Sequence, residues 1–392
     1  MNVFRRLSGR ALAALLGAMA VVGAVAAVAA VTAFGGDGAT PPPEPLAQAV
    51  HDALAAPPVD GFTAHISFTN HLLGSDALGG LGGGSPLLSG ASGRLWGTSD
   101  GHLRLELQSG SGDAQIVTDG QKLSVYDGTS NTAYEMTLPQ YDATETGTQD
   151  VPPTIEEITN ALTQLGDYAT VSAAQPDSVA GQPAYTVDLA PTDTGGLLGG
   201  GQVSFDAATG VPLRIAIDAR GSSSPVLELA VTDISYGAVA PSYVDLSPPA
   251  DAKVVTLPTP SGTPGAPEGS SPEVTGLGPV SAAVPFTLVA PDSLSGLARS
   301  DVRLIGSGTD AGAAITYGSG LGMIAVGEHA VNAGESGPLD ALPTVSLGSV
   351  TGHELVTALG TVITFEQGGV SYTVGGSLTQ ADAEATARAL AS

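Results

Sequence analysis

A period-two alternation, running from His65 to about Tyr236, constrains this chain more than any other feature. His102–Gln108 shows it most cleanly: Leu103, Leu105 and Leu107 alternate with Arg104, Glu106 and Gln108. Successive side chains on a strand point to opposite faces, so this pattern makes one apolar face and one polar face. Ile66 and Phe68, Leu123 and Val125, Leu213, Ile215 and Ile217, and Leu227, Leu229 and Val231 repeat it. Asp-Gly pairs at Asp100-Gly101, Asp119-Gly120 and Asp127-Gly128 punctuate the runs as hairpin signals. The expectation is a mainly β (α+β) chain built on a large antiparallel sheet.

Few helices accompany these strands. Leu46, Val50 and Leu54 recur every four residues within 44–56. Pro152-Pro153 stops the chain before Thr154-Ile-Glu-Glu157, a capping box that opens the stripe Ile155, Ile158, Leu162 and Leu165. Two short amphipathic helices cannot cover a wide apolar face. Such a sheet must close on itself, meet a second sheet, or enclose a cavity. The cavity face would be Ile66, Phe68, Leu103, Leu105, Leu107, Leu123 and Val125. The other reading of these residues is an ordinary sheet core.

Two segments break the pattern. Residues 72–90 read LLGSDALGGLGGGSPLLSG, and residues 192–202 read TDTGGLLGGGQ. Gly-rich segments are normally solvated, whereas leucine needs a packed partner. Either these are mobile lids, carried by Leu72, Leu73, Leu87, Leu88, Leu197 and Leu198, or they are idle insertions in a chain with 54 Gly.

The chain divides into five parts. Residues 1–34 carry Arg5, Arg6 and Arg10 and then an uncharged run, 11–34, which reads as a signal peptide or an N-terminal membrane anchor. Either one sends the remainder out of the cytoplasm, secreted or anchored to the cytoplasmic membrane. Residues 35–45 are a spacer, and 46–246 hold the large sheet. Residues 247–279 read as a linker too rich in Pro and Gly for a packed element. Residues 280–392 form a second, small α+β domain. Its expected strands are 285–290, 302–306, 313–317, 321–326, 354–359, 361–366 and 370–375, followed by a helix from Ser377 or Thr379.

Chemistry is sparse. The chain has no Cys, which removes disulfides, thiol catalysis and thiolate metal sites. Its six His share no metal-ligand spacing, and the lysines are Lys122 and Lys253. No nucleophile elbow occurs. Tyr317-Gly-Ser-Gly-Leu-Gly322 lies between strands, so it reads as a hairpin turn rather than a phosphate loop. Aromatic platforms for carbohydrate are scarce, with one Trp, nine Tyr and seven Phe. Against 38 Asp+Glu stand 12 Lys+Arg, a net charge of −26 that repels phosphate backbones and argues against nucleic acid. Neither an enzyme nor a cofactor is expected.

The run Gly93-Arg-Leu-Trp-Gly…Asp100-Gly-His-Leu-Arg-Leu-Glu-Leu-Gln…Asp113-Ala-Gln-Ile-Val-Thr-Asp-Gly120…Val125-Tyr-Asp127 resembles the LolA-like lipoprotein-sorting family, and more closely its actinobacterial relatives. The capped helix at Thr154 and the stretch Gly181–Ile215 also fit. The resemblance covers roughly 44–256. It implies a curved half-barrel antiparallel sheet with covering helices and an acyl-chain cavity. The closing strand–turn–helix, from Gly369 to Ala389, resembles the second domain of RseB/MucB sigma-factor regulators. That layout implies lipid or lipoprotein acyl chains as ligand, and an anti-sigma factor or other envelope protein as partner.

Two function classes follow. One is a binding protein that holds a lipid in a hydrophobic cavity. The other is an envelope-stress regulator that contacts an anti-sigma factor through its C-terminal domain.

Overall fold

Alternation becomes register. The computed structural model describes residues 39–74, 84–138, 152–257, 274–331 and 342–391. The expected signal peptide or anchor, 1–34, lies outside them, as do 75–83 of the first Leu/Gly segment and 258–273 of the expected linker.

Helix α1 (Leu46–Ala55) precedes β1 (Gly61–Asn70). After the short helix α2 (Pro86–Ser89) come β2 (Ala91–Thr98), β3 (Leu103–Ser109), β4 (Gly112–Thr118), β5 (Lys122–Asp127) and β6 (Thr132–Thr137). Helix α3 (Ile155–Leu165) follows. Then come β7 (Ala169–Val171), β8 (Gln175–Val179), β9 (Gln182–Pro191), β10 (Leu198–Asp206), β11 (Pro212–Ala219), β12 (Leu227–Tyr236) and β13 (Lys253–Thr256). The sheet runs β13-β6-β5-β4-β3-β2-β1-β12-β11-β10-β9-β7, with β8 paired to β9. The fold is mostly β, with a curled antiparallel half-barrel sheet and few helices.

The turns are set by local chemistry. Gly101 (φ 88°) and Gly120 (φ 80°) take the left-handed backbone their turns require. Asp119 Oδ1 accepts the N–H groups of Gln121 and Lys122 at 2.8 and 2.7 Å. The third Asp-Gly pair behaves differently. Gly128 stays out of that region, and Asn131 (φ 46°) closes a wider turn instead. Between β10 and β11, buried Asp206 accepts the N–H groups of Ala208 and Thr209 and, from β12, the hydroxyl of Tyr236. Gly210 sits there at φ +70°, and a Cβ would lie 2.6 Å from Ala53 O of α1. The turn and the helix packing both need it. The capping box of α3 forms as read: Thr154 Oγ1 accepts Glu157 N–H, and Glu157 accepts Thr154 N–H.

One expectation is corrected by β13. Residues 247–279 were expected to hold no packed element, yet Lys253–Thr256 pairs in parallel with β6. Polarity and proline density do not bar a short edge strand whose partner is already in place.

The second sheet runs β14 (Ser293–Leu294), β15 (Leu297–Ile305), β16 (Gly312–Tyr317), β17 (Ile324–Ala330), β21 (Val370–Gly376), β20 (Gly360–Gln367), β19 (Thr351–Thr357) and β18 (Thr344–Ser346). Helix α4 (Leu277–Ala283) packs on β15, and α5 (Gln380–Leu390), capped by Thr379, packs on β20 and β21. The closing meander forms as expected. The strand expected at 285–290 does not: these residues cross the core without a ladder partner.

Inside that core lies a carboxyl. Glu328 stands between Ala313 of β16 and Tyr372 of β21 and is fully buried. Its Oε2 accepts Val289 N–H at 3.0 Å, and Oε1 has no partner among the described residues. Desolvation pushes Glu328 up to about 7 from an ordinary 4.5, against the pull of that one N–H. Burial likewise pushes the neighbouring Tyr317 hydroxyl up to about 12.

A carboxyl whose pKa rises on folding binds its proton more tightly in the folded chain. Its stabilising effect is complete below pH 4.5 and is lost as pH rises to about 7. The shift corresponds to about 3 kcal/mol. Glu328→Gln keeps an acceptor for Val289 without the charge. Urea unfolding at pH 5 and pH 8 is expected to show the variant gaining stability over the native chain at pH 8 only. Equal gains at both pH values would contradict this assignment.

Candidate functional site

Register gathers the residues singled out by alternation onto one face. Across β1 to β6 one level holds Phe62, Gly97, Leu103, Thr118, Leu123 and Met136. The next holds Ala64, Leu95, Leu105, Ile116, Val125 and Tyr134. A third holds Ile66, Gly93, Leu107 and Ala114. Phe68 follows, opposite Ala91 on one side and Leu229 on the other.

Cover over this face is uneven. Ile66, Leu107 and Ala114 are buried at 2%, 1% and 0% exposure. Leu87 of α2 packs into their cluster, and α2 touches β1, β3 and β4. Leu103, Leu105, Ile116, Leu123, Val125 and Met136 are each only part-buried, and Tyr134 is exposed. Helices α1 and α3 pack on each other, α1 also on Tyr185 of β9 and Phe205 of β10, and α3 on β7, all away from β1 to β6. The face is therefore core at the α2 end and incompletely covered toward Leu123.

The two Leu/Gly segments turn toward the second sheet. Asn70 pins both ends of the first: its Nδ2 donates to Leu87 O at 2.7 Å, and its Oδ1 accepts Leu72 N–H at 2.9 Å. Leu72 O then accepts Ala358 N–H at 2.8 Å, and Leu73 forms a bridge with Thr357. Leu88 is part-buried on α2.

In the second segment, Leu197 N–H donates to Ser377 Oγ at 2.8 Å, and Leu198 opens β10 opposite Ala219. Asp193 accepts Gly195 N–H through Oδ1 and Leu321 N–H through Oδ2, both at 2.7 Å. The Gly195 N–H, and then that of Leu321, hold its carboxyl below the usual range. The glycine turn of Tyr317–Gly322 thus receives an anion from its own chain.

On the opposite face lies an arrangement that alternation alone does not single out. Trp96 of β2 faces Arg104 of β3 directly, and the guanidinium sits 4.7 Å from the indole centroid. Tyr243, from the segment after β12, stacks on Trp96 with centroids 6.1 Å apart and planes 15° apart. That segment is anchored by His102 Nδ1 to Asp245 Oδ1 at 2.9 Å and by Arg104 Nη1 to Tyr243 O at 3.4 Å. Arg104 Nη2 donates to Glu106 Oε2 at 2.6 Å. The only signal in sequence was a Trp and an Arg at polar-face positions. Neither gives a reason to expect Tyr243 beside them, because that contact is non-local.

Among the described residues no group of three His, Asp or Glu could hold a metal ion, and no helix is long and apolar enough to cross a membrane.

No family model matches the chain, and no curated protein matches it. Among solved structures it is similar to MucB in complex with MucA(peri), at 17% identity and a TM-score of 0.39, covering 87% of this chain and 94% of that one. It is similar to the Pseudomonas aeruginosa MucA/MucB complex at 18% identity and a TM-score of 0.38, with the same coverage. It is also similar to a LolA superfamily protein from Nitrosomonas europaea, at 12% identity and a TM-score of 0.24, covering 52% of this chain and 98% of that one. These are likenesses of fold.

The uneven cover has a measurable consequence. Leu107→Ala empties a buried position and is expected to cost about 2–5 kcal/mol. Leu123→Ala removes a side chain already partly in water and is expected to cost about 1 kcal/mol. Denaturant unfolding compares the two directly, and equal losses would mean that the Leu123 end is as well packed as the Leu107 end.

Proposed function

We propose that the chain is an exported, envelope-associated binding protein that holds an acyl chain or lipoprotein lipid against the apolar face of its first sheet. The observation that carries this reading is the part-buried row Leu103, Leu105, Ile116, Leu123 and Val125, continuous with the buried Ile66 and Leu107. Burying a methylene contributes ~0.8 kcal/mol, so about ten give roughly 8 kcal/mol, the scale of a micromolar complex before association costs. No catalytic group is needed. The three arginines ahead of residues 11–34 support export.

The expected outcome is saturable binding of a fluorescent fatty acid by the delipidated full chain. Leu105→Glu or Leu123→Ser should weaken it at least about tenfold, since either puts polarity on the face. Circular dichroism confirms that each variant is folded. Binding no better than that of an unrelated β-protein, or unaffected in both folded variants, contradicts the reading.

A second reading rests on the contacts of the Leu/Gly segments. Leu72, Leu73, Asp193 and Leu197 are bonded to residues of the second sheet or its turns. A lipid that displaced either segment as a lid would disturb those bonds, as an envelope regulator of an anti-sigma factor would require. Co-precipitation of an envelope-spanning protein from native membranes, altered by added lipid, supports it. Capture of none with the full chain counts against it.

A further inference from the structure

The polar face of β2 and β3 carries a half-open, mainly polar depression of about 440 Å³ around Arg94, Trp96, Arg104, Glu106 and Tyr243. The cavity is on the other side of the sheet from the acyl-chain face and stands independently of that reading.

Its chemistry is unusual for this chain. Two arginines converge here in a molecule of net charge −26. The Arg104 side chain is 11% exposed, and its buried Nε has no hydrogen-bond partner among the described residues. Arg94 is exposed and, among the described residues, makes no ion pair or hydrogen bond, although Glu106 lies directly across the strand pair. Glu106 is already engaged, with Oε2 accepting from Arg104 and Oε1 from Gln108 at 2.7 Å. Trp96 lies against both Arg104 and Tyr243, and Tyr243 leaves 53% of its surface exposed.

We propose that this cavity binds a monoanionic sugar, a hexuronic acid or a residue of that type. A planar carboxylate matches the free fork of Arg94, and the Arg104 guanidinium behind it adds positive charge without a hydrogen bond to the ligand, its Nε being buried. The exposed ring of Tyr243 provides an apolar platform for the C–H face of a sugar. Hydroxyls find acceptors on Glu106 and partners on Ser92 and Gln108, all of which border the cavity. Glu106 also sets the charge preference. With two guanidinium groups and one carboxylate, the cavity carries a net +1, suited to a carboxylate rather than a dianionic phosphate. The scarcity of aromatic residues argued against carbohydrate at the level of composition. The fold places the single Trp and a Tyr together at this one position.

The test uses the full chain and saturation-transfer NMR with methyl glucuronoside, methyl glucoside, glucose 6-phosphate and N-acetylglutamate. Glucuronoside is expected to bind at about 1 mM or tighter, with the other three at least about tenfold weaker. Arg94→Gln, at an exposed position, should keep the melting temperature and lose binding about tenfold. Tyr243→Ala should lose it comparably. Equal binding of the neutral glucoside, tighter binding of the phosphate, equal binding of N-acetylglutamate, or no saturable signal each overturns the proposal. So does a folded Arg94→Gln that binds like the native chain.

Discussion

The rest of the structure depends on how one apolar sheet face is covered. Period-two alternation commits Ile66, Leu105, Leu107, Leu123 and Val125 to the same side as soon as β1 to β6 pair. A one-residue slip would turn all of them to water, so the register is strongly specified. The curl of the sheet and a four-residue helix, α2, bury the Ile66–Leu107 end. The Leu123 end is left part-buried. Core and candidate binding surface are therefore one face, graded by cover rather than divided by residue type.

What was legible in the sequence was what is local. The capped helix at Thr154, the tight turns at Gly101 and Gly120 and the closing meander follow from neighbours a few residues apart. The misread elements are settled by distant partners. Lys253–Thr256 is a strand because β6 offers an edge. Residues 285–290 have strand-like composition, yet Val289 spends its N–H on Glu328. Trp96 and Arg104 could be placed on the polar face by parity, but the Tyr243 that stacks there arrives from far along the chain.

The Leu/Gly segments show the same limit more sharply. Their composition suggested loops, and their leucines suggested contacts. The contacts that form use no leucine side chain: two are backbone–backbone, to residues 357 and 358, and two pair a backbone N–H with Asp193 or Ser377, at residues 321 and 377. Small residues allow this approach: a Cβ on Gly196 would lie 2.9 Å from Leu321 O. Glycine there serves close packing as much as flexibility. The two sheets are consequently joined by these same two segments.

The central claim is that the incompletely covered end of that face accommodates a lipid tail. Native mass spectrometry of the chain purified from its native host, under conditions that preserve non-covalent complexes, tests it most directly. The account expects a mass above that of the polypeptide, released on organic extraction as an acylated molecule. A single species at the polypeptide mass, unchanged after incubation with membrane lipids, would contradict it.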